Sequence, residues 1–219
     1  MTGSAPHAAV LSAYAPDALA MGRLGAAVAE VLGPGDTILL GGDLGAGKTT
    51  FTKGLAAALG ARGPVTSPTF VLVHSYPTAR GWDLLHADVW RLEQLQEVVD
   101  LAIPELLEDG AAAVVEWGER AAPALGTDRL HVEIDFEDRL LPDPGRAEVA
   151  TSVYSEATPD AQLGSGTDAG PGAEGVRRVT FSAHGPEWEA RMVDLARALE
   201  MAQMPAPGTR MPAPERGTR

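Results

Sequence analysis

The sequence predicts one α/β domain, a mixed, mostly parallel sheet flanked by helices. Three observations predict it. A Gly-rich loop lies between a buried strand and an amphipathic helix, and further apolar runs of strand length alternate with stretches of helical periodicity. The chain of 219 residues, 45% hydrophobic, is long enough for one full-sized core.

Residues 1–8 read as a loose terminus and 9–14 as a strand. Asp17 is placed to cap a helix on which Leu19, Leu24, Val28, Val31 and Leu32 recur at helical spacing, until Gly33-Pro34-Gly35 stops it. Asp36-Thr37-Ile38-Leu39-Leu40 then leads into Gly42-Asp43-Leu44-Gly45-Ala46-Gly47-Lys48-Thr49-Thr50, which opens a helix that runs to about Gly60. This is the phosphate-binding P-loop pattern, Gly, four residues, Gly-Lys-Ser/Thr, in its strand–loop–helix context. Its glycines let successive amides point inward, and the helix N-terminus adds its unpaired N–H groups. Lys48 is placed to reach the β- and γ-phosphates of a nucleotide and the Thr49 hydroxyl to ligate Mg²⁺. The domain is accordingly expected to be of P-loop NTPase type.

Beyond Gly63-Pro64, a hydroxyl-rich loop with Thr66, Ser67 and Thr69 runs into a strand that reaches Tyr76. With the alternating stretch from Trp82 to Trp90 it predicts a β-hairpin. Residues 92–107 suggest two short helices broken by Pro104. The apolar run 111–115 delivers Glu116 at the end of a buried strand, and 129–136 alternates as a half-exposed strand does. Residues 141–176, rich in Pro, Gly, Ser, Thr, Ala and acids, predict a disordered insert. A strand near 178–183 and a helix carrying Trp188, Met192, Leu195 and Leu199 on one face complete the core within 177–203. The domain is thus expected to comprise 9–140 and 177–203, with 204–219 a disordered tail.

A net charge of −13 repels phosphodiester backbones, so any role with nucleic acid is expected to be indirect. The absence of cysteine excludes disulfides, thiolate metal sites and a cysteine nucleophile. No apolar segment approaches bilayer length, and a cytoplasmic protein is expected.

Transfer or hydrolysis of a γ-phosphoryl group needs a metal, carboxylates and an element that senses the phosphate. Asp88, at a strand end, is a candidate for the metal shell, or an ordinary turn former. Glu116 is a candidate for orienting water or joining the metal, or a solvated strand end. Thr66, Ser67 and Thr69 offer hydroxyls for a switch loop, or plain turn chemistry beside Pro68. Asp43 is placed to accept a proton from water or to bond the loop's own amides, and His74 and His86 read as core or surface histidines.

Taken together, the P-loop, Thr66-Ser67-Pro68-Thr69-Phe70, His86-Ala87-Asp88-Val89-Trp90-Arg91 and Val115-Glu116-Trp117 resemble, in order and spacing, the TsaE (YjeE) family of small bacterial P-loop ATPases. The resemblance implies a part in making threonylcarbamoyladenosine on tRNA, ATP as the nucleotide, and docking on the TsaD and TsaB transferase subunits. It implies a site in which Asp43, Leu44, Gly45, Ala46, Gly47, Lys48, Thr49, Thr50 and Trp117 bind ATP. Lys48, Asp88 and Glu116 then serve hydrolysis, Thr49, Asp88 and Glu116 the Mg²⁺, and Ser67-Pro68-Thr69 a switch. The family usually has Tyr at Trp90 and Pro at Gly118, and the insert has no counterpart in it. Two other readings are a small-molecule kinase and a non-catalytic module gated by ATP. The first is weakened because Arg62, Arg80, Arg91 and Arg120 form no clustered lid in the sequence.

Overall fold

In the computed structural model of the chain, residues 9–68, 72–92, 95–119, 121–137 and 175–203 are described. Seven strands form one sheet: β1 (Val10–Ala15), β2 (Thr37–Gly41), β3 (Val73–Pro77), β4 (Asp83–Asp88), β5 (Ala112–Glu116), β6 (Arg129–Phe136) and β7 (Arg177–His184). Their order is β1-β7-β6-β2-β5-β4-β3. The central strands β6, β2, β5 and β4 run parallel. Antiparallel pairing closes both edges, through β7 and β1 on one side and β3 on the other. The expected mixed sheet is present, with its parallel part confined to the centre.

Alternation along the strands decides what each face holds. Ile38, Leu40, Leu84, Val114 and Val132 join one core with Leu24, Phe51, Leu55 and Trp188. Those partners come from α1 (Ala18–Val31), α2 (Lys48–Ala58) and α5 (Pro186–Gln203). The intervening residues Leu39, Leu85, Ala113 and Val115 pack with Val98 of α3 (Leu95–Val99) and Ile103 of α4 (Ile103–Glu108). The same period of two sets His86, Asp88 and Glu116 on the α2 face, at the carboxyl end of the sheet where the P-loop emerges.

Most elements follow the expected boundaries. Asp17 caps α1 through a 2.7 Å bond from the Ala20 amide, whereas Leu19, assigned to its apolar stripe, is exposed. Val73–Pro77 and Asp83–Asp88 form the expected hairpin. Pro104 starts α4 rather than breaking the chain between helices. Its missing N–H costs nothing in a first turn, and the break falls at Ala102, whose φ is 54°. Residues 1–8, Thr69, Arg120, the tail and nearly all of the insert lie outside the described residues. The Arg191 guanidinium grips Asp36 with bonds of 2.6 and 2.8 Å, tying α5 to the segment that enters β2.

Helices α1 and α2 cross with almost no side chain between them. A Cβ on Gly54 would lie 2.0 Å from the Gly22 carbonyl oxygen, so Gly54→Ala must force the two backbones apart. Alanine gains about 1 kcal/mol of helix propensity, but overpacking against rigid backbone costs more. We expect a net loss of about 2 kcal/mol in urea unfolding; an unchanged midpoint would show that the crossing separates freely.

Candidate functional site

The site is built where β2 ends and α2 begins. Gly42, Gly45 and Gly47 have φ values of 120°, 79° and 119°. At Gly42 the requirement is double, because a Cβ there would also lie 2.4 Å from the Ile134 carbonyl oxygen of β6. No side chain caps α2, so its first-turn amides face the loop's hollow with the positive end of the helix dipole behind them.

Lys48 is buried at the start of that helix. Its Nζ donates to the Gly42 and Asp43 carbonyls at 2.6 and 2.9 Å, and lies 3.9 Å over the Trp117 ring. Burial pulls its pKa below the usual lysine range, against the opposing pull of Glu116, Asp88, Glu133 and Asp43. One desolvated cation therefore stands among four carboxylates.

Asp88 and Glu116 are register partners across β4 and β5. Glu116 is only 3% exposed, which sets aside the solvated strand end. Its Oε1 accepts the Thr49 hydroxyl at 3.0 Å and lies 2.8 Å from His86 Nε2. Asp88 does form a turn, accepting the Trp90 amide at 3.0 Å, yet it is buried beside Glu116. Its own N–H donates to the Leu72 carbonyl at 3.0 Å, which links the strand end to the segment after Pro68. Trp117 has a φ of 60°, a left-handed conformation that costs a bulky residue about 1–3 kcal/mol. Its ring centroid lies 4.4 Å from that of Trp90. A cavity of about 560 Å³ opens beside the loop, lined by Gly42, Asp43, Trp90, Trp117, Glu133 and Phe136 among others.

Lys48, Thr49, Asp88, Glu116 and Trp117 thus converge. Ala46 is buried beneath the loop and Thr50 half-buried on α2, while Asp43 and Gly45 are exposed and Leu44 stands 91% exposed at the tip. Thr66 and Ser67 are exposed. The Thr66 amide reaches the Tyr76 hydroxyl of β3 at 3.5 Å, and Thr69 lies outside the described residues.

The sequence predicts His86 to be a satisfied core or surface histidine. In the fold it is fully buried against Glu116, and its Nδ1 has no partner among the described residues. Its spacing of two from Asp88, on one strand face, was the available signal. Glu133 and Phe136 were also missed as cavity walls, because only the pairing of β6 with β2 brings them there. Glu133 further belongs to a partly exposed group with Glu119 and His131, whose Nε2 lies 3.6 Å from Glu119 and 3.5 Å from Glu133.

Comparison with known proteins points one way. Residues 15–141 match the model of the family described as threonylcarbamoyl adenosine biosynthesis protein TsaE. A Streptomyces coelicolor protein named tRNA threonylcarbamoyladenosine biosynthesis protein TsaE is 47% identical over 117 residues, covering 52% of this chain and 78% of that protein. A Bacillus subtilis protein of the same name is 42% identical over 115 residues, covering 52% and 69%. The crystal structure of Bacillus subtilis YdiB aligns with 88% of this chain and 98% of its own, at a TM-score of 0.56 and 26% identity.

Proposed function

The chain belongs to the TsaE family of threonylcarbamoyl adenosine biosynthesis proteins, and from that membership we propose a Mg²⁺-dependent ATPase whose nucleotide state sets its docking on the TsaD and TsaB subunits. Family membership gives a P-loop NTPase-like protein with a role in tRNA threonylcarbamoyladenosine biosynthesis. ATP, the metal, hydrolysis and the partner subunits are the proposal.

The observation that supports it most is the junction at Glu116, where a P-loop hydroxyl and a buried carboxylate meet beside Asp88. The donors fit the metal. Thr49, Asp88 and Glu116 offer hard oxygens only, as Mg²⁺ prefers. Four carboxylates around one lysine would also repel a triphosphate that came without a cation. When bound, Mg²⁺ would neutralise part of the phosphate charge.

The chain's own residues do the rest. Amides of residues 43–50 hold the phosphates and Lys48 adds the cation that strengthens as the leaving charge develops. Thr49 and Asp88 would hold the metal, leaving Glu116 to orient the attacking water. Trp117 walls the nucleotide side of the cavity and keeps water from the phosphates. The hydroxyls of Thr66, Ser67 and Thr69 report the γ-phosphate as a switch. Residues 9–140 and 177–203 make up this core, with 1–8, 141–176 and 204–219 outside it. Among the described residues no helix is long and apolar enough to cross a membrane, and we place the protein in the cytoplasm. Its net charge of −13 leaves tRNA to the partner subunits.

Single-turnover reaction of γ-labelled ATP, with the full chain alone and with TsaD and TsaB, tests the reading. We expect slow release of inorganic phosphate, altered by the partners. Label appearing on a small acceptor would replace the ATPase by a kinase, and binding without release would leave a nucleotide sensor.

A further inference from the structure

We propose that His86 is a positioning residue for Glu116, fixing the carboxylate in the orientation from which it meets the nucleophilic water. The inference rests on the ATPase reading above. His86 is fully buried in β4, with Nε2 2.8 Å from Glu116 Oε1. Thr49 Oγ1 donates to the same oxygen at 3.0 Å. Two donors on one carboxylate oxygen, one from α2 and one from β4, remove the carboxylate's freedom to rotate. Neither bond uses Oε2, which leaves that atom to serve a ligand.

The other ring nitrogen gives the second argument. His86 Nδ1 is buried without a partner among the described residues. Leu84 and Leu85, on the same strand, carry no such cost, and a leucine at 86 would remove it. A polar group kept at a cost in stability points to work done elsewhere on the ring. A carboxylate oxygen accepts only, so Nε2 carries the proton of the bond to Glu116. The ring thereby holds the carboxylate from the β4 side.

The test compares His86→Gln with His86→Asn in the full chain. The glutamine amide reaches the place of Nε2, whereas the asparagine amide stops near that of Nδ1. We expect His86→Asn to lower kcat for phosphate release at least about tenfold with KM within about twofold, and His86→Gln to stay within about threefold of the parent. A parental kcat in His86→Asn, or equal losses in the two variants, would overturn the proposal. Glu116→Ala run alongside separates the two levels: its hydrolysis at the parental rate would remove the water-orienting role of Glu116 and the proposal with it, whereas no phosphate release from the parent chain would overturn the hydrolytic reading itself. Nitrogen-15 NMR of the imidazoles in the unsubstituted chain tests the donor without any variant: a proton on His86 Nε2 supports the proposal, and a ring protonated at Nδ1 alone overturns it.

Discussion

Lys48→Ala abolishes the stabilisation that Mg-ATP confers on the folded chain. A ligand bound only to the native state at a hundred times its Kd adds about 2.7 kcal/mol, which is a melting shift of about 5–10 °C at this size. That shift depends on a site able to accept dense negative charge. Lys48 is the cation closest to the loop's carbonyls, and removing it leaves Glu116, Asp88, Glu133 and Asp43 facing the phosphates. The variant's own stability will change as well, since those carboxylates lose their counter-charge. The quantity to measure is therefore the nucleotide-induced shift by differential scanning fluorimetry, rather than the melting temperature alone. A shift equal to the parent's would remove the P-loop from the account.

Glu116→Ala separates binding from chemistry. Orienting the water matters at the transition state, so its loss should lower phosphate release by about 100-fold or more while the Kd for Mg-ATP changes little. The variant also strips a buried acceptor from Thr49 and His86, at about 1–3 kcal/mol for each group left unpaired. Glu116→Gln keeps an oxygen there, and should recover stability without recovering rate. Equal losses of affinity and rate in single-turnover and calorimetric measurements would instead place Glu116 in the ground-state metal shell.

What the sequence made legible was local. The P-loop could be read because strand, glycines, lysine, threonine and helix stand together in one run from Asp36 to Leu59. Asp88 and Glu116 could be suggested because each ends an apolar run, but their burial side by side depends on β4 pairing with β5. The role of β6 could not be read. Glu133 is far from the loop in sequence and reaches the cavity only because β6 lies beside β2. His86 reads as a core histidine because a single histidine in an apolar strand usually belongs there, and only the pairing of β4 with β5 sets it against Glu116. Pro104 reads as a break because proline disrupts helix interiors, although a first turn accepts it equally well.

In the proposed function this loop, with Thr49, Asp88 and Glu116, forms a switch worked by ATP. A crystal structure of the full chain with Mg²⁺ and a non-hydrolysable ATP analogue should show the triphosphate on the amides of residues 43–50, the metal bonded to the Thr49 hydroxyl with Asp88 in its shell, and Glu116 directed at the γ-phosphate. A metal held instead by Glu119, His131 and Glu133, or a triphosphate bound away from Lys48, would contradict it.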